Sequence, residues 1–146
     1  MSHVLNLISR ILMSAVFVYY GYMKLVNVDS ILNNAGTKRF MELVAHGAAP
    51  PTWLGYAIAA IEFFGGIAII LGILTRPIAW LFVIYVAIVT YLGHPFWATG
   101  TPADTGNFFK NLVIIGAFLM LAVNGGGAHS VDGRMAASKN ERPEYA

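Results

Sequence analysis

Glu62 has no charged neighbour anywhere from Leu54 to Leu74, a stretch otherwise built from Leu, Ile, Ala, Gly, Phe and Tyr. A charged carboxylate near the middle of a membrane span costs about 2.5–3.5 kcal/mol on insertion scales, so such a residue meets a partner or water. Lys24 and Lys110 are the cations positioned to supply one. Lys24 closes the first apolar stretch and Lys110 opens the fourth, both from the side on which the helix of Glu62 begins. A carboxylate beside an ammonium at a lipid-accessible pocket suits proton-coupled chemistry, which makes Glu62, Lys24 and Lys110 the catalytic candidates. The same residues would serve equally well as a buried structural ion pair. Tyr91, His94, Trp97, Phe108 and Asn111 cluster near the same end and form the candidate binding set for a flat ring. The three aromatic members also fit an interfacial belt. No His-x-x-x-His or carboxylate–histidine spacing accompanies His94, so no metal site is assigned.

Positioning these residues requires four spans. Of the 146 residues, 58% are hydrophobic and only 11% charged, too little polar surface to cover a soluble globule of that size. The expected fold is an all-α integral membrane four-helix bundle with an interfacial amphipathic segment between its first two spans. The spans are read as 4–25, 54–74, 77–93 and 108–123, with 124–146 as a polar C-terminal tail, all within one membrane domain. Arg10 interrupts the first stretch and no small-x-small cleavage site follows it, so that span is read as retained rather than as a signal peptide. The third and fourth are short, and either borrow interfacial residues or thin the bilayer. Asn107 is read as the N-cap of the fourth. Within Asp29–Trp53, the spacing of Phe40, Met41, Leu43 and Val44 fits an amphipathic helix over Thr37–His46, with a loop lying on the headgroups as the alternative. Lys139–Ala146 reads as a mobile tail.

Gly55, Ala59, Glu62 and Gly66 share one face of the second span, where small residues admit a neighbouring backbone and Glu62 turns into the bundle. Arg10, Ser14, Phe17, Gly21 and Lys24 share a face of the first. That face looks into the bundle; the alternative, weightier for Arg10 than for Lys24, is that the two long side chains snorkel to opposite headgroup layers. Nine Lys and Arg against seven acids form no basic run, so no nucleic-acid partner is expected. With no cysteine, the chain supplies no disulfide, thiolate cluster or thiol redox chemistry. Arg10, Arg76, Arg134, Lys139 and Arg142 on the side of the termini slightly outweigh Lys24, Lys38, Arg39 and Lys110 opposite, which favours an N-in, C-in orientation.

Several spaced motifs run in order along the chain: Arg10…Phe17-Val-Tyr-Tyr-Gly21-Tyr-Met-Lys24, Ile61-Glu62-Phe-Phe-Gly65-Gly66, Thr75-Arg76-Pro77, His94-Pro-Phe-Trp97, Asn107-Phe-Phe-Lys110-Asn111 and Ser130-Val-Asp132. This order resembles the DoxX family of small bacterial inner-membrane proteins, most closely its YphA-like branch, over nearly the whole length. The resemblance implies a four-helix protein of the bacterial inner (plasma) membrane. The family's name derives from a subunit associated with thiosulfate:quinone oxidoreduction in a related branch. Its recurrent polar set falls on Arg10, Lys24, Glu62, His94, Lys110, Asn111 and Asp132, without assigning them roles.

Two functional classes follow. In one, the protein is a quinone-linked redox membrane subunit: Glu62 with Lys24 or Lys110 hydrogen-bonds a quinone carbonyl and relays its proton, the aromatic residues flank the ring, and a redox protein partner supplies electrons. In the other it is a non-catalytic membrane anchor or assembly subunit, and whether the chain is an enzyme stays open. A small-solute carrier ranks below both, because four short spans form a pore only as a homo-oligomer. The bilayer is the one partner both classes require.

Overall fold

Why the polar residues meet follows from where each helix starts and stops. The computed structural model describes residues 2–140, all of whose regular structure is helical. The elements are α1 (Ser2–Val26), α2 (Asp29–Leu32), α3 (Ala35–Ala45), α4 (Thr52–Leu71), α5 (Thr75–Gly93), α6 (Phe96–Thr99), α7 (Pro102–Asn124) and α8 (Val131–Asn140). α1, α4, α5 and α7 are long and apolar enough to cross a bilayer.

These four form a bundle of two tight pairs, α1 along α4 and α5 along α7, with much sparser approach between the pairs. Small residues explain the first pair. A Cβ on Gly21 would stand 2.5 Å from the backbone nitrogen of Phe63, so only a glycine admits this crossing. The stripe Gly55, Ala59, Glu62 and Gly66 is buried, as its spacing predicts. Phe17 of α1 bridges the pairs, its ring 4.6 Å from Phe82 and 5.6 Å from Phe118. Phe82 and Phe118 stack at 4.8 Å across α5 and α7. Near this aromatic layer the pairs are joined; towards the α3 end they enclose space.

The helix ends depart from the sequence reading in instructive ways. α4 stops at Leu71 rather than Leu74, because Gly72 takes a left-handed conformation (φ 72°) and its N–H bonds Ala68 O at 2.8 Å. α5 then begins at Thr75, with Pro77 in its first turn. α7 begins at Pro102 and not near Phe108. Thr101 caps it, its hydroxyl accepting from the N–H of Asp104 at 3.1 Å, so Asn107 is an interior residue rather than the N-cap. The extra turns, residues 102–107, are mostly polar, so α7 reaches ordinary spanning length by borrowing interfacial residues. Between the first two spans a helix does form, two residues earlier than its pattern indicated, because the Asn34 side chain accepts from Gly36 N at 2.8 Å and starts it. Thr37 and Met41, one turn apart, are its buried face.

The segment after Asn124 is more ordered than a polar tail. Gly125 and Gly127 turn the chain back under the bundle, and α8 follows. Most of the tail expected at Lys139–Ala146 lies outside the described residues; Lys139 itself is in α8.

Candidate functional site

Glu62 lies near the middle of α4 with only 6% of its side chain exposed. The Nζ of Lys24, one helix away, donates to both Oε1 and Oε2 at 2.6 Å. Lys24 is near the end of α1, so its four-carbon stem runs back along the α1–α4 seam to bring the ammonium inward. Tyr85 on α5 donates its hydroxyl to Glu62 Oε1, adding a second helix pair to the network. Glu62 thus ties α1, α4 and α5 together at mid-depth. An ammonium carries three donors, and two of those on Lys24 point at this carboxylate.

The network forms one wall of a cavity of about 170 Å³ at the seam between the helix pairs. Asn111, buried on α7, lines the opposite wall, with Lys110 and His94 towards the mouth. Lys110 does not pair with Glu62. It is exposed and donates to Asn107 Oδ1 at 2.8 Å, one turn earlier on α7. His94, which follows α5, has Nδ1 3.1 Å from Asp104 Oδ1, and this contact links the α5 and α7 ends. A second, larger cavity of about 440 Å³ lies under α3, and Tyr20, Lys24, Tyr85, Val89 and His94 line both.

Tyr91, Trp97 and Phe108 also come together, but elsewhere. Tyr91 and Trp97 are exposed, their rings 5.6 Å apart, and Trp97 meets Phe108 edge-on at 5.8 Å. They make an aromatic rim at the end of the bundle, and none of the three lines either cavity. The aromatic walls of the site are Phe17, Tyr20 and Tyr85 instead.

Tyr85 is the residue that sequence reasoning missed. A usable signal was present, because Glu62 and Tyr85 stand at equal distances from the turn joining their antiparallel helices and so lie at one depth.

A second polar cluster lies at the end carrying the termini, and it decides for an inward-facing Arg10 over the alternative of a snorkelling anchor. Arg10 is fully buried. Its Nη1 donates to Ile69 O at 3.2 Å and Ile70 O at 2.9 Å, its Nη2 to His129 O at 2.5 Å, and its Nε to Asn6 Oδ1 at 3.2 Å. The guanidinium therefore satisfies Ile70 O, which the end of α4 leaves open, and adds a second donor to Ile69 O, which already accepts from Gly72 N at 3.1 Å. Asp132 does the converse for α5, accepting from Leu74 N at 2.9 Å and Thr75 N at 2.7 Å. Burial works to raise the Asp132 carboxyl, but the Thr75 and Leu74 donors and the Arg10 charge outweigh it and hold the group below its ordinary pKa. This cluster has every mark of a structural knot around the α4–α5 turn.

A bundle of four membrane-crossing helices, knotted at one end and holding an ion pair against a cavity in its seam, defines a small polytopic membrane protein with a buried polar centre. Residues 5–95 match the DoxX family. The chain is 37% identical over 134 residues to the inner membrane protein YphA of Escherichia coli K12, covering 90% of each. It is 36% identical over 126 residues to the inner membrane protein YqjF of the same organism, covering 86% of this chain and 88% of that one. No solved structure matches it. The chain belongs to the DoxX family.

Proposed function

We propose that this protein is a quinone-binding membrane subunit of a redox system in the bacterial inner membrane. The single observation carrying the reading is the Lys24–Glu62–Tyr85 network lining a cavity that continues into a larger, mainly apolar one. A quinone head presents carbonyl acceptors on a flat apolar ring. The cavity fits that chemistry, because Lys24, Asn111 and Lys110 are donors on its wall and Phe17 and Tyr20 offer apolar faces. Bound there, a quinone would supply two-electron, two-proton redox chemistry, with electrons from a redox protein partner.

The chain's own part is binding and proton handling. Lys24 and Asn111 orient a carbonyl, Glu62 holds the proton-accepting position, and Tyr85 fixes the carboxylate by its hydrogen bond. His94 and Asp104, in contact at the mouth, offer a route from the aqueous end to the cavity. Tyr91, Trp97 and Phe108, apart from the cavity, form a belt at the membrane boundary. The slight excess of basic residues at the end of the termini supports cytoplasmic N- and C-termini, with the cavity opening on the other side.

The test is extraction of lipid from the gently solubilised native assembly, with mass spectrometry of the intact particle. Ubiquinone or menaquinone retained by the wild type and lost in Glu62→Gln and Lys24→Met, both still folded, is the expected result. A second reading, a non-catalytic anchor or assembly subunit, draws on the fact that Glu62 already has partners within the chain. It gains if no quinone is found and the same variants shed a protein partner instead.

A further inference from the structure

The cavity beneath α3 is not needed to hold a polar head, and its lining differs from that of the cavity at Glu62. Leu54 and Ile58 of α4 form one wall, Ile88 and Leu92 of α5 the other, and Thr37 and Phe40 of α3 the roof. At about 440 Å³ it falls within the size range of small-molecule sites, roughly 300–1,000 Å³. Its lining residues shared with the smaller cavity, Lys24 and Tyr85 among them, make the two one bent chamber, polar at one end and apolar at the other. Ile88 and Val89 line this arm and are exposed, so the protein does not close the arm off along α5.

The roof is held from several points. Arg39 Nη1 donates to Leu92 O at 2.7 Å, occupying a carbonyl at the end of α5. Gly36 lies so close to α5 that a Cβ there would come within 3.0 Å of the Gly93 Cα. A helix clamped this way over an apolar space, exposing Lys38 and Glu42 together with Leu43 and Val44, covers whatever lies below it.

We propose that the ligand headed by the Glu62–Lys24 end is an amphiphile whose flexible apolar tail lies in the arm roofed by α3, entering sideways between α4 and α5. This rests on the quinone reading for the identity of the head, but the tail site stands on its own geometry. α3 is thus part of the binding site, acting as its cover.

The experiment compares binding of two probes to the purified full chain in detergent: 2,3-dimethoxy-5-methyl-1,4-benzoquinone and the same ring bearing a decyl chain. Partition into micelles favours the decyl compound equally for every variant, so the informative quantity is how its advantage over the bare ring changes. In Ile58→Trp or Ile88→Trp, which fill the arm, the advantage is expected to fall on the order of tenfold, the contribution of about two buried methylenes. Because a tryptophan could disturb packing, hydrogen exchange of the unaltered chain gives a second readout: exchange across Ala35–Ala45 slows with the decyl probe and not with the bare ring. An unchanged tail advantage, with no slowing in α3, overturns the proposal. A third compound, decylphenol, separates the two readings. If it binds with the same dependence on Ile58 and Ile88 while neither quinone binds, the tail arm stands and the quinone reading falls; if no tailed compound binds, both fall.

Discussion

Glu62 carries two burdens, a place in the middle of a membrane helix and the joining of three helices through Lys24 and Tyr85. Removing one member of a buried ion pair strands the other, which typically costs about 3–5 kcal/mol; here Lys24 keeps 22% of its side chain exposed, so Glu62→Gln should fall below that range. The triple variant Lys24→Met/Glu62→Leu/Tyr85→Phe is expected to recover most of the lost stability, since replacing both charges and the Tyr85 donor with apolar groups of similar size leaves no member of the network unpaired. Thermal unfolding in detergent, set beside quinone retention, checks both halves: stability returns and quinone does not. Tyr85→Phe keeps the ring and removes only the donor. It should lower stability by about 1.5–3 kcal/mol, the range for a hydrogen bond to a charged group. At this scale Glu62, Lys24 and Asn111 were legible because charge and amide stand out in an apolar stretch. Tyr85 was not, since one more aromatic in a membrane helix reads as packing until the partner across the turn is known.

At the scale of elements, the α4–α5 turn depends on residues far away in sequence. Asp132 accepts from the open N–H groups at the start of α5, so Asp132→Ala is expected to cost about 0.5–2 kcal/mol, as for other lost caps. Its depressed pKa sets a direction with pH. The carboxylate's contribution is complete above the ordinary aspartate value of about 3.9 and is lost as pH falls through the lower folded value. Acid titration of thermal stability should therefore show a decline below about pH 4 that is shallower in Asp132→Ala, where the depressed carboxyl of Asp104 still contributes. Gly72 is a stricter case. Its φ of 72° and a Cβ position 2.4 Å from Arg10 Nη1 leave no room for a side chain, so Gly72→Ala should unfold more readily than any cap variant. The sequence pattern located each spanning helix but misplaced the end of α4 and the start of α7, because the turn at Gly72 and the Thr101 cap act through hydrogen bonds that hydrophobic periodicity does not contain. Periodicity places Arg10 on an inward face but leaves its partners unseen for the same reason: they are mainly backbone carbonyls distant in sequence, which no residue type reveals.

In the whole molecule, the α1–α4 and α5–α7 pairs touch chiefly through the Phe17, Phe82 and Phe118 layer, leaving the seam free for the cavities. Phe82→Ala should loosen that joint. Its cost is expected to lie below the roughly 3–5 kcal/mol of a soluble core, because lipid is as apolar as the bundle interior and only packing is lost. The proposed orientation is tested by labelling single cysteines with a membrane-impermeant reagent in intact cells: Gly100→Cys should react and Ala128→Cys should not, and the reverse pattern turns the protein over. By itself, the sequence determined that the chain is a four-span helical membrane protein with a carboxylate requiring a partner, because the cost of exposing apolar surface to water or burying an unpaired charge depends on residue type alone. Only the tertiary structure decided that Lys24 rather than Lys110 meets Glu62, that Tyr85 joins them, and that Tyr91, Trp97 and Phe108 stand apart from the cavity. Those outcomes turn on helix pairing and rotation, which small-residue contacts and distant caps establish over the whole bundle.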